Sequence, residues 1–106
     1  MKYELELEPG RVVVFRELSG EEFESVYKAA EASNTVGYEL TQNCLRRALV
    51  SDGGEALSYK DLAGAQLAQR FRTRHLMMLR QAFESVHLPG AEDDARVRSM
   101  RAIADD

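Results

Sequence analysis

The feature that most constrains this chain is its opening. Tyr3-Glu4-Leu5-Glu6-Leu7-Glu8 alternates apolar and acidic side chains, Pro9-Gly10 follows, and Arg11-Val12-Val13-Val14-Phe15-Arg16 is rich in β-branched residues. Alternation with period two places Tyr3, Leu5 and Leu7 on one face of a strand. Proline presets φ at the first central position of a turn and glycine accepts the positive φ of the second, so the chain reverses at Pro9-Gly10. The valine-rich run is the returning strand. A two-residue loop sets Glu8 opposite Arg11, Leu7 opposite Val12 and Leu5 opposite Val14, and a bulge shifts this by one. A lone hairpin is marginal in water, so the rest of the chain must cover its apolar face.

That cover reads as helical. Ser19-Gly20-Glu21-Glu22 has the pattern of a capping box, in which the Ser19 hydroxyl and the Glu22 carboxylate each satisfy a free backbone N–H. Phe23, Val26, Tyr27 and Ala30 then fall at i, i+3, i+4 and i+7, which predicts an amphipathic helix over about 20–32. Ser33-Asn34-Thr35 breaks it, and Val36, Leu40, Cys44, Leu45, Ala48 and Leu49 predict a second helix over about 35–51, ended by Asp52-Gly53-Gly54. Ser58-Tyr59-Lys60-Asp61 is a further capped start. Leu67, Phe71, His75, Met78, Leu79, Ala82, Phe83 and Val86 form a stripe that predicts helix over about 59–88, with a break near Gly64 and a stop at Leu88-Pro89-Gly90. A last helix is expected over about 92–103, with Glu92, Asp93 and Asp94 in its first turn and Arg96, Arg98 and Arg101 later, as the helix dipole favours. The sum is one α+β domain over residues 1–106, a hairpin at about 2–17 followed by about four helices and mostly helical.

Composition narrows the function classes. A chain of 106 residues with one cysteine, Cys44, has no internal disulfide and no thiolate metal cluster. Its longest apolar runs are a few residues, far below the roughly 20 that span a bilayer, and Met1-Lys2 leads into alternating charge rather than the apolar core of a secretory leader. His75 lies in an apolar stripe, where a hydrogen-bonded core histidine is the expectation, and His87 sits in a last helical turn, where the dipole favours a cation. Cys44 falls on an apolar face and reads as a buried, inert thiol. Neither a nucleophile elbow nor a phosphate-cradling glycine loop is present. Glu4, Glu6 and Glu8 read as a solvated strand face, and Asp52-Gly53-Gly54-Glu55 lacks calcium-loop spacing. No enzyme, cofactor or metal is therefore expected.

Charge is unevenly spread. Residues 1–60 carry seven Lys and Arg against eleven Asp and Glu, and residues 61–106 carry seven of each, so the first half holds the whole net charge of −4. Arg70, Arg72, Arg74 and Arg80 stand in a stretch without acids. On a continuous helix Arg70, Arg74, Met77 and Gln81 share a stripe opposite Phe71, Met78 and Phe83. Such a face suits solvent or a protein partner, since Arg and Met are enriched at interfaces. A nucleic acid fits less well, because the acidic chain repels a polyanion at long range. The thin apolar face of the expected last helix, Val97, Met100 and Ile103, is a second candidate for partner contact, and the hairpin edge is a third.

The order of features resembles a known family. The hairpin running into Phe15-Arg16-Glu17-Leu18-Ser19-Gly20, a helix ending in Leu49-Val50-Ser51-Asp52-Gly53, the segment Leu57-Ser58-Tyr59-Lys60-Asp61-Leu62, and a long helix closing in His87-Leu88-Pro89 before acidic residues together resemble the small tail assembly chaperones of tailed phages and prophages. The resemblance implies a non-enzymatic protein, in the cytoplasm of a bacterial host, that binds the long tape measure protein while the tail tube polymerises. It implies a protein partner, compatible with a homo-oligomer, and no membrane. The Arg-rich stretch at 70–80 and the Arg-bearing segment after Asp94 depart from the family pattern. The alternatives are a small nucleic-acid-binding regulator acting through Arg70–Arg80 and a structural component of a tail or contractile injection machine.

Overall fold

A computed structural model describes residues 1–34, 37–88 and 100–103. The fold is α+β. In chain order it comprises β1 (Lys2–Glu8), β2 (Arg11–Arg16), α1 (Gly20–Ala32), α2 (Tyr38–Ala48), β3 (Leu49–Asp52), β4 (Glu55–Ala56), a 3₁₀ turn (Tyr59–Leu62), α3 (Gln66–Arg70), α4 (Thr73–His87) and β5 (Met100–Ile103). The strands form one antiparallel sheet in the order β4-β3-β2-β1-β5.

The opening hairpin forms as expected, and it takes the bulge. Glu8 pairs with Arg11, but Glu6 then pairs with Val12, so Leu7 is the extra residue and Leu5 comes to face Val13. The shift decides which valines are core. Leu5, Leu7, Val13 and Phe15 are buried on one face, with the Tyr3 ring stacked on Phe15 at 5.5 Å, while Val12 and Val14 are only half-buried.

Helices α2 and α4 supply most of the cover. Cys44, Leu45 and Ala48 of α2, Leu67 and Phe71, and Leu76, Leu79, Ala82 and Phe83 of α4 join the strand residues in one core. The stripe from Leu67 to Val86 thus keeps its inward face, Met78 and Val86 being partly buried against that core. His75 is buried as expected, but its Nδ1 has no hydrogen-bond partner among the described residues.

Three boundaries differ from the sequence expectation. The helix expected over 35–51 stops at Ala48, and Leu49–Asp52 become β3, pairing Leu49 with Phe15 and Asp52 with Val13. The free edge of β2 needs a backbone partner, and burying Leu49 against the sheet outweighs one more helical turn. Gly53 and Gly54, at φ 59° and 88°, then form the two-residue hairpin turn into β4 rather than a helix stop. Within 59–88 the break at Gly64 is present, and a second one follows: Phe71 and Arg72 are extended, so α3 and α4 are separate helices. Finally, Met100–Ile103, expected as the end of a helix over 92–103, are a strand. They pair with the other edge of the hairpin, Met100 against Leu5 and Ile103 against Lys2. Residues 92–99 of that expected helix lie outside the described residues. Among the described residues no helix is long and apolar enough to cross a membrane.

Candidate functional site

The segment joining β2 to α1 is fixed from both sides. Ser19 Oγ accepts the Glu22 N–H at 3.1 Å and Glu22 Oε1 accepts the Ser19 N–H at 3.1 Å, completing the capping box. Arg16 grips the same carboxylate through two N–H groups at 2.7 and 2.5 Å. That grip, first, and the capping bond hold the Glu22 carboxyl down at about 2. From the other side, the Leu18 N–H donates to His87 Nε2 at 2.9 Å, which leaves the imidazole proton on Nδ1 to be donated to the Phe83 carbonyl at 2.8 Å. His87 also stacks on the Phe83 ring at 3.9 Å. The ring at this helix end is therefore a neutral strut rather than the cation the dipole argument expects.

Beside this strut lies an apolar cleft of about 600 Å³ between the α1 approach, the first half of α2 and the end of α4. Leu18, Phe23, Leu40, Phe83, Val86 and Leu88 line it, over Cys44. Burial pushes the Cys44 thiol up to about 11, so the cleft floor is uncharged. At the lip, Phe23 is 38% exposed and Leu88 49%. Phe23 stacks on Tyr27, also 38% exposed, extending the apolar surface along α1. The charged side chains on the wall are Glu17 and Glu84. A concave, mostly apolar hollow with a few polar groups at its edge has the general form of a ligand or partner site.

A second hollow, of about 540 Å³, lies between α2 and the 3₁₀ turn and is polar, with Glu39, Gln42, Asn43 and Tyr59 around Arg46. Arg46 closes much of it by donating to the Leu62 and Gly64 carbonyls and to Asn43 Oδ1. Among the described residues no group of three or more His, Cys, Asp or Glu side chains could hold a metal ion.

Of the six residues expected to meet a partner, five are described, and the stripe expected to join Arg70 to Arg74, Met77 and Gln81 is broken. Arg70 ends α3 and is half-buried, its Nε on Asp52 Oδ2 at 2.9 Å and its Nη2 on Glu55 Oε2 at 2.7 Å, so it braces the β3–β4 turn. The extended Phe71-Arg72 step breaks the continuous wheel that joined it to the others. Arg74, Met77 and Gln81 do share a face of α4, with Met77 53% exposed. Met100 packs from β5 onto the core, its Sδ 3.9 Å from Ser85 Oγ. Val97 lies outside the described residues.

Sequence periodicity also placed Phe23 and Tyr27 in the core of α1, where only Val26 and Ala30 are buried. A signal for the cleft was present: Leu18 and Phe23 occupy the positions flanking the Ser19 cap at which a hydrophobic staple forms, and both line the cleft. Comparison of the chain with family models, with curated proteins and with solved structures gives no match.

Proposed function

We propose that the protein is a non-enzymatic tail assembly chaperone of a phage or prophage, acting in the cytoplasm of the bacterial host, and that it holds a segment of the tape measure protein in the cleft between α1, α2 and α4. The observation that carries the reading is the cleft itself, apolar, uncharged at its floor and continuous with the exposed Phe23–Tyr27 pair. An extended helical client is kept from aggregating by covering its apolar stripe, and a groove lined by aliphatic and aromatic side chains does so without any reacting group. The layout resemblance supplies the identity of the client. The rival reading as a nucleic-acid regulator loses Arg70, whose guanidinium is committed to Asp52 and Glu55.

Co-expression with the tape measure protein of the same genome tests the proposal. The wild type is expected to keep the client in the soluble fraction and co-purify with it, and Phe23→Ala with Tyr27→Ala to lose the client while staying folded. The mature particle is expected to lack the protein. Tight, steeply salt-dependent DNA binding lost on Arg72→Ala with Arg74→Ala would instead establish the regulator.

A further inference from the structure

We infer that the cleft selects its client by charge: it takes an amphipathic helix whose apolar anchors are flanked by Lys or Arg, and discriminates against one flanked by Asp or Glu. The inference rests on the cleft being the client site and adds the chemistry of what enters it. Among the described residues, the ionisable groups on the wall that carry charge are the carboxylates of Glu17 and Glu84, and neither Lys nor Arg lines it.

Of the cations near these carboxylates, Arg80 shares a shallow hollow of α4 with Glu84 and offsets part of its charge. Arg16 is held bidentate by Glu22. The N-terminal ammonium lies 4.0 Å from Glu17, with both groups half-exposed, and so only partly offsets that carboxylate. His87 adds no charge to the wall, because its Nε2 accepts the Leu18 N–H and its Nδ1 proton goes to the Phe83 carbonyl. Beyond the lip, α1 adds Glu21 and Glu24, the latter paired with Lys28. An apolar trough edged by acids complements an apolar stripe edged by bases. Rim charges of this kind act on selectivity and association rate more than on total affinity. Exposed pairs contribute roughly two- to fivefold each, so two carboxylates give about a tenfold preference.

Two synthetic helical peptides of about five turns, with the same leucine stripe and either lysine or glutamate elsewhere, test this on the full chain. The lysine peptide is expected to bind about tenfold more tightly in low salt, with the gap closing as salt is raised. Its amide shifts are expected to concentrate at Leu18–Phe23, Leu40 and Phe83–Leu88. Glu17→Lys with Glu84→Lys is expected to invert the preference, and Phe23→Ala to weaken both peptides. Equal affinities, a lysine preference that survives the double charge reversal, or shifts centred on the sheet would each overturn the inference. Loss of tape measure capture with the peptide preference intact removes the chaperone reading and leaves a charge-selective cleft. Capture of the tape measure protein by a chain that does not discriminate the peptides removes this inference alone.

Discussion

Asp52 shows how one residue can change meaning between sequence and structure. In sequence it reads as the polar end of a helix. In the fold it is 7% exposed and accepts Arg11 through both oxygens, at 2.9 and 2.8 Å, and Arg70 at 2.9 Å. The Arg11 hydrogen bonds, chiefly, hold its carboxyl below the usual aspartate range. A depressed folded value means that the stabilisation is present above the unfolded aspartate range and is lost as pH falls through the folded value. Asp52→Asn is expected to cost about 2 kcal/mol at neutral pH, less than a fully buried pair because both arginines are about a quarter exposed. Urea midpoints of variant and wild type should converge in acid, and a gap that persists there would contradict the charge argument. Arg70→Ala should cost about 1 kcal/mol, whereas the exposed Arg74→Ala should stay within about 0.5 kcal/mol. The partners of Arg70 stand 18 and 15 residues away, and no local pattern announces such a pairing.

Among the elements, those specified by local chemistry were legible and those specified by a neighbour were not. The hairpin, the α1 cap and the inward stripe of α4 follow from turn residues, a capping box and helical spacing. Leu49–Asp52 and Met100–Ile103 become strands because β2 and β1 offer free edges, which four-residue windows do not reveal. The Gly53-Gly54 pair did carry the signal, since two consecutive glycines between β-formers mark a tight hairpin. No side chain comes within 4 Å of a Cβ added at Gly54, so Gly54→Ala tests conformation alone. At φ 88° it is expected to destabilise by about 1–2 kcal/mol in chemical denaturation. A cost near zero would mean that the turn relaxes freely. At the start of α1, Ser19→Ala is expected to cost about 1 kcal/mol. The Glu22 contribution, with its carboxyl at about 2 when folded, is present above the unfolded glutamate range and fades as pH falls toward that value. Far-UV ellipticity followed through an acid titration reads both.

At the scale of the whole molecule, burial is uneven across the described helices, and the proposed binding cleft borders the stable core, sharing Leu18, Cys44 and Phe83 with it. Helix α4 buries His75, Leu76, Leu79, Ala82, Phe83 and Ser85, whereas α1, nearly as long, buries only Val26 and Ala30 and packs mainly on α2. Local opening free energy follows buried apolar contact, so the amides of α1 are expected to exchange faster than those of α4 and of the β1–β2 hairpin. The cleft lies where the two regimes meet, with Phe23 on the weakly held helix and Phe83 on the firmly held one. A client seated there would bridge them and should protect α1 far more than the sheet. Hydrogen–deuterium exchange of the chain alone and with the bound lysine peptide measures both statements. Protection of α1 equal to α4 in the free chain would contradict this account of where stability resides, and protection gained at β3–β4 rather than α1 would place the client on another face.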